Sequence, residues 1–275
     1  VSGYDLTRLF VGSEGTLGVV TEITFKISPK PIARSTALAT FDDLADAGRA
    51  INQIMHSGII PSALEILGRE TLRAINENTD LNLPEVDAML LAETDGYTRE
   101  ETEYQIQKIL EIFDANHPKA VKKAETVQEA EELWAARKSA YAVLARIKTH
   151  FVLEDVTVPM TTITALLKGI LAISEKHRIQ IATFGHAGDG NLHPQILYDG
   201  YDPDEVKRME AASADLFKLA IDLGGTLTGE HGIGLSKAPY MTLEHDPVEM
   251  DVMRGLKAMF DPNNILNPGK MALED

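Results

Sequence analysis

The sequence predicts an α+β protein, a ferredoxin-like antiparallel sheet or sheets with packed helices. Three observations predict it. Segments of alternating apolar residues are interleaved with segments of helical period along most of the chain. Their order, strand–helix–strand followed by strand–helix–strand, is the ferredoxin-like order, and a second such cycle follows the first. The length of 275 residues and the 44% hydrophobic content suit a soluble globular chain of one large or two modest domains.

The first segment, residues 9–25, joins a glycine-rich turn to a β-branched run. Alternation of Val19, Thr21, Ile23 and Phe25 reads as a strand. Pro29-Lys30-Pro31 breaks it and marks a domain boundary. Residues 36–41 read as a strand, and Asp42-Asp43 cap a helix that runs to about His56. Residues 63–67 read as a strand, 69–76 as a short helix and 88–93 as a strand. A strongly periodic helix over 98–115 and a strand at 120–124 close the first cycle. The second cycle reads as a helix at 127–146, a strand at 151–158 ending at Pro159, and a helix at 162–177. Strands at 179–184 and 192–197 then flank a Gly-Asp-Gly-Asn turn. A helix at 204–223 stops at Gly224-Gly225, and the last helix covers 248–260.

Charge and composition exclude several function classes. Lys and Arg number 26 against 42 Asp and Glu, a net charge of −16. Such a surface repels a phosphate backbone, so nucleic acid is not an expected partner. The chain holds no cysteine, which removes disulfides, zinc–thiolate sites and thiol nucleophiles. No apolar run reaches membrane-spanning length and no signal-peptide pattern opens the chain. The expected location is therefore cytoplasmic, or peripheral at the inner face of the membrane. The opening Val1-Ser2-Gly3-Tyr4 runs quickly into a strand pattern, as the interior of a longer protein would.

The chemistry concentrates in two segments. His186-Ala-Gly-Asp-Gly-Asn-Leu-His193 places two imidazoles on either side of a turn. Gly188 and Gly190 suit the turn, and Asp189 and Asn191 tolerate it, so the chain can return and bring His186 and His193 together on one divalent ion. A polar hairpin with two surface histidines is the other reading. Gly229-Glu230-His231-Gly232 offers a carboxylate and a third imidazole. Adjacent residues on an extended segment point opposite ways, so one division puts Glu230 on the metal and His231 toward a substrate as a base; a glycine-flanked loop whose charges are solvated is the other reading. Two histidines and a carboxylate leave coordination positions open. Arg137, on a mostly apolar helix, suits a substrate carboxylate; a helix-face ion pair with Glu131 or Glu132 is the alternative. Trp134 reads as core. Asp189 either holds the turn or orients a ligand histidine. The glycine-rich stretch 9–18 lacks the order of a nicotinamide dinucleotide fingerprint and a phosphate-loop lysine, and by spacing alone is a tight β-turn.

Six ordered motifs carry a resemblance. They are Ser2-Gly3-Tyr4-Asp5-Leu6, residues 9–21, Glu154-Asp155-Val156-Thr157-Val158-Pro159, the His186–His193 hairpin, residues 229–234, and Phe260-Asp261-Pro262 with Leu266-Asn267-Pro268-Gly269-Lys270. Together they resemble the FAD-linked oxidases of vanillyl-alcohol-oxidase (PCMH) type, in the branch that holds the flavin subunit of glycolate oxidase and the D-lactate dehydrogenases. The resemblance implies a substrate-capping domain over residues 32–240, a remnant of the FAD-binding domain at 1–31, and a tail at 241–275 that returns to the FAD domain. It implies a divalent metal (Zn, Mn or Fe) on His186, His193 and Glu230, with His231 as the catalytic base. Arg137 and Gln195 match substrate contacts, and Gly12, Glu14, Gly15, Gly18, Val20, Asn267 and Lys270 match flavin contacts. The implied reaction oxidises a small 2-hydroxy acid to a 2-oxo acid, with FAD as hydride acceptor. Implied partners are the missing N-terminal FAD-binding domain and other oxidase subunits, an iron–sulfur subunit among them. Leu153 replaces a lysine found in the hydroxyglutarate branch, and Gln195 an asparagine, so a longer dicarboxylate substrate is disfavoured. Met160 stands where a basic residue is common and is given no role. By this reading the chain is a C-terminal portion that is inactive alone; the alternative is a non-catalytic capping domain of a multi-subunit oxidase.

Overall fold

The structure, a computed structural model, describes residues 2–274. The chain divides into two compact units, one formed by residues 30–225 and the other by residues 1–29 together with 226–275.

The larger unit is built on one eight-stranded sheet. Its strands are β1 (Ala33–Phe41), β2 (Ala63–Gly68), β3 (Ala88–Gly96), β4 (Ala120–Lys123), β5 (His150–Leu153), β6 (Val156–Thr157), β7 (Gln180–His186) and β8 (Asn191–Tyr198). The spatial order is β4-β1-β3-β2-β7-β8-β5, with β6 also paired to β8. All pairings are antiparallel. The first four strands follow the ferredoxin-like order expected from sequence. The two cycles do not form separate sheets: Glu65 to Leu67 of β2 pair with His186 to Phe184 of β7 and fuse them.

Helices of this unit are α2 (Leu44–His56), α3 (Arg69–Asn78), α4 (Arg99–Ala115), α5 (Val127–Leu144), α6 (Ile163–His177) and α7 (Pro203–Asp222), with α1 (Leu6–Phe10) belonging to the smaller unit. Their starts follow local chemistry. The side chains of Asp43, Thr98 and Thr126 accept backbone N–H groups at the heads of α2, α4 and α5, and Thr126 with Glu129 completes a capping box. Helices α3 and α5 cover one sheet face, where Leu72, Ile75, Ala136, Ala140 and Leu144 meet Leu67, Met89, Phe184 and Leu197. Helices α2, α4, α6 and α7 pack on the opposite face, with Phe41 edge-on to Phe113. Both faces are therefore covered, so central strands such as β2 and β7 are buried along almost their whole length.

Two expectations are corrected. The strand at 151–158 breaks into β5 and β6 around Glu154 and Asp155, where the backbone N–H of Glu154 still donates to Pro194. The expected strand over Val19–Phe25 does not form: residues 18–32 hold no regular structure, and Val19, Val20, Ile23 and Phe25 are exposed. Alternation states a preference, and a strand also needs a neighbour to complete its hydrogen bonds. Residues 226–240 group with the two terminal segments. The carboxylate of Glu14 explains this, because it accepts the backbone N–H groups of Ile233 and Gly234 at 2.6 and 2.8 Å.

The smaller unit contains α1 (Leu6–Phe10), α8 (Met241–Glu244) and α9 (Pro247–Phe260). Phe10 lies edge-on to Phe260 at 5.7 Å. Lys257, buried on α9, donates to Asp261 and to the carbonyl oxygens of Thr16 and Leu266, tying three chain segments together.

Candidate metal and substrate site

Four of the sequence-identified residues gather on the α3/α5 face of the large sheet. His186 ends β7, His193 and Gln195 lie on β8, and Arg137 projects from α5. Register places His193 opposite Phe184 and His186 opposite Asn191, so the two histidines are diagonal neighbours on one face. Their rings stand edge-on with centroids 5.2 Å apart, and each offers a ligand nitrogen within 4.8 Å of the other. The hairpin turn works as its composition suggests: Gly190 adopts φ +70°, and the backbone N–H of Asp189 donates to the carbonyl of His186. Asp189 itself is exposed at the turn.

The carboxylate that orients His186 is instead Glu65, on β2 directly opposite it. Oε1 of Glu65 lies 2.7 Å from Nδ1 of His186, and Oε2 accepts from Nε of Arg137 at 2.6 Å. Arg137 thus pairs with neither Glu131 nor Glu132. Its guanidinium also lies over the Phe184 ring, 4.9 Å from the centroid. Burial pushes the Glu65 carboxyl upward, but the His186 hydrogen bond and the charge and hydrogen bond of Arg137 outweigh it. The group is held below its ordinary value. Sequence reasoning missed Glu65. The one available signal was an acidic residue inside an otherwise apolar strand, Ala63-Leu64-Glu65-Ile66-Leu67.

A similar pattern recurs at His193. The buried carboxylate of Asp155 lies 3.9 Å from its Nδ1. Gln195 is fully buried opposite Leu153 and Ala182, and neither its amide nitrogen nor its amide oxygen has a hydrogen-bond partner among the described residues. An unsatisfied buried amide is costly, about 1–3 kcal/mol, and points to a polar partner at this position. Trp134, expected in the core, is only part-buried, and its indole N–H donates to Glu93 at 3.1 Å.

The smaller unit carries the remaining residues. Glu230 and His231 sit on an exposed bend between Gly229 and Gly232, not on an extended segment. Nε2 of His231 and Oε1 of Glu230 are 3.9 Å apart, so the two side chains do not diverge as an extended backbone would make them. Gly232 has φ +89°, and a Cβ there would meet Glu14 Oε1 at 2.8 Å, so the loop turns against the Glu14 carboxylate where only glycine fits. Glu14 also receives the side-chain amide of Asn267 on its carbonyl oxygen. The turn carrying Gly12, Glu14, Gly15 and Gly18 and the tail carrying Asn267 and Lys270 therefore belong to one assembly, with Gly12 and Gly15 at φ +79° and +72°. Val20 is exposed on the segment that follows. Glu14 spends its carboxylate on the 232–234 backbone, a structural use that the glycine-rich pattern did not reveal.

The residues of the larger unit fit a divalent ion. Two imidazoles face each other, and a carboxylate stands by the Nδ1 of each, as in sites where the outer carboxylate fixes the ligand ring.

Residues 30–271 match the family described as FAD linked oxidases, C-terminal domain. The chain is 48% identical over 276 residues to glycolate oxidase subunit GlcD of Bacillus subtilis, covering 100% of this chain and 58% of that protein. It is 36% identical to the GlcD subunit of Escherichia coli, covering 98% of this chain and 54% of that protein. A D-lactate dehydrogenase of Anaerostipes hadrus is 34% identical over 98% of this chain and 58% of its own length. The chain thus spans somewhat over half the length of these relatives. Among solved structures, p-cresol methylhydroxylase superposes with a TM-score of 0.66 at 16% identity, over 88% of this chain and 53% of that one. Alkyldihydroxyacetonephosphate synthase superposes with a TM-score of 0.63 at 16% identity, over 98% of this chain and 50% of that one. By sequence and by fold, this chain belongs to the FAD-linked oxidases, as their C-terminal domain.

Proposed function

We propose that this chain is the substrate-binding portion of a flavin-dependent 2-hydroxy-acid dehydrogenase of glycolate or D-lactate type. The carrying observation is the cluster of His186, His193, Arg137 and Glu65 on one sheet face, in a family whose named relatives act on such acids. His186, His193 and Glu230 would hold the divalent ion, and Gly12, Glu14, Gly15, Gly18, Val20, Asn267 and Lys270 would border the FAD. The chemistry these two groups supply when bound is polarisation of the substrate hydroxyl and acceptance of the C2 hydride.

The protein's own residues do the rest. Arg137 commits Nε to Glu65 and directs its terminal nitrogens to the substrate carboxylate, a planar acceptor that matches the guanidinium fork. The buried amide of Gln195 receives a polar oxygen of the substrate. His231, exposed on its glycine-bounded bend, takes the hydroxyl proton. Leu153, paired across from Gln195, offers nothing to a second carboxylate, which favours short monocarboxylates. The fit of the outer carboxylates to the imidazoles supports this reading over a non-catalytic capping domain.

The test uses the enzyme that contains this chain together with its flavin domain. His231→Ala is expected to cut the rate of flavin reduction by glycolate or D-lactate by about 100-fold or more while sparing metal content. An unchanged rate removes His231 from the mechanism. Elemental analysis that finds no divalent ion in the purified enzyme favours the capping-domain reading instead.

A further inference from the structure

Glu65 belongs to no recognisable motif, yet it is the buried centre of the candidate site. It stands on β2 at the seam where the two halves of the sheet are joined. One oxygen faces His186 and the other faces Arg137, so a single side chain touches both the proposed metal ligand and the proposed carboxylate anchor. An ionised carboxylate only accepts hydrogen bonds. A neutral His186 must therefore carry its hydrogen on Nδ1, which leaves the lone pair on Nε2. Arg137 in turn must present Nε to Glu65, which fixes the direction of its remaining fork.

We propose that Glu65 is a positioning residue that couples the two halves of the site, holding His186 with Nε2 as the ligand atom and Arg137 with its terminal nitrogens toward substrate. This rests on the roles of His186 and Arg137 proposed above. Without Glu65 the imidazole loses the acceptor that fixes its Nδ1 hydrogen, and the long Arg137 side chain regains its torsional freedom. Glu65→Gln tests the geometry sharply because an amide has only one accepting end. If its oxygen stays on the Arg137 cation, its NH2 group faces Nδ1 of His186. The ring hydrogen then moves to Nε2, the nitrogen needed for the metal.

The experiment records histidine-ring nitrogen NMR spectra of the metal-free 275-residue chain at a pH where His186 is neutral, then titrates Zn2+ by calorimetry. Wild type is expected to show the Nδ1–H tautomer. Glu65→Gln is expected to shift His186 toward Nε2–H and to weaken Zn2+ binding by about 10–100-fold. Glu65→Asp keeps the charge but shortens the reach, and is expected to weaken Zn2+ binding as well; it guards against a folding defect specific to the amide. A wild-type His186 with its hydrogen on Nε2, or unchanged Zn2+ affinity in both variants, overturns the proposal. A wild-type chain that binds no Zn2+ while showing the Nδ1–H tautomer overturns the metal reading alone, and the ring spectrum still upholds the Glu65 contact.

Discussion

At the scale of single residues, the site carries two polar groups whose burial conflicts with stability. Glu65 is compensated by Arg137 and His186. Gln195 is not compensated by any described residue. Gln195→Met keeps the volume and removes both unsatisfied amide atoms, so it should raise stability by about 1–2 kcal/mol, read as a higher melting temperature of the chain. In the flavin-containing enzyme the same change should raise the substrate KM. A lower melting temperature would mean that the amide is satisfied in solution and holds the strand. Asp261 presents the opposite case. Its burial would raise its carboxyl, but Lys257 and the N–H groups of Leu266 and Ile265 outweigh that and hold it below the ordinary aspartate value. A depressed folded value gives stability that is present above about pH 4 and is lost as the pH falls through the folded value. Melting temperatures between about pH 6 and about pH 2.5 should therefore drop steeply below about pH 4. Asp261→Asn should lower the curve at about pH 6 and flatten it at the acid end; parallel curves would assign the acid transition to other carboxylates.

At the scale of elements, helices were more legible than strands. Asp43, Thr98 and Thr126 announce their helices because a cap is a local event that the sequence carries in full. Strand signals are incomplete by nature. Residues 36–41 and 19–25 both read as strands, but only the first has neighbours, β3 and β4, to receive its hydrogen bonds. The two histidines of the β7–β8 hairpin were legible because a glycine turn fixes their register, whereas Glu65 reaches His186 from a strand more than a hundred residues earlier and no spacing rule records it. The hairpin depends on glycine at a defined point. Gly190 has φ +70°, and a Cβ there would lie 2.2 Å from the carbonyl oxygen of Val158. Gly190→Ala should cost at least about 1–2 kcal/mol from the left-handed backbone alone, with the clash added, and should separate the histidine rings. Chemical denaturation measures the first effect, and loss of Zn2+ binding reports the second. A variant as stable as wild type would show that the turn relaxes without penalty.

At the scale of the whole molecule, the grouping of residues into units was the least legible feature. It depends on pairs such as Glu14 with Gly234 and Lys257 with Thr16, which lie more than two hundred residues apart in sequence. The smaller unit also leaves an apolar run uncovered: Val11, Val19, Phe25 and Ile27 are 78%, 76%, 75% and 87% exposed. Residues 19–27 have the alternation of a strand, and we expect another protein element to cover them. By the function proposed above, the covering element would be the flavin-binding part of the enzyme; the chain matches 58% of the Bacillus subtilis protein. The 275-residue chain produced alone is therefore expected to purify with flavin far below one per chain and to show no glycolate or D-lactate dehydrogenase activity. Supplying the remaining portion of the enzyme as a separate polypeptide should restore flavin absorbance and slow amide hydrogen exchange across residues 19–27, because those N–H groups would then enter a sheet ladder. Stoichiometric flavin on the chain alone would contradict this division of labour. Restored flavin without protection at 19–27 would show that the apolar run serves some other contact.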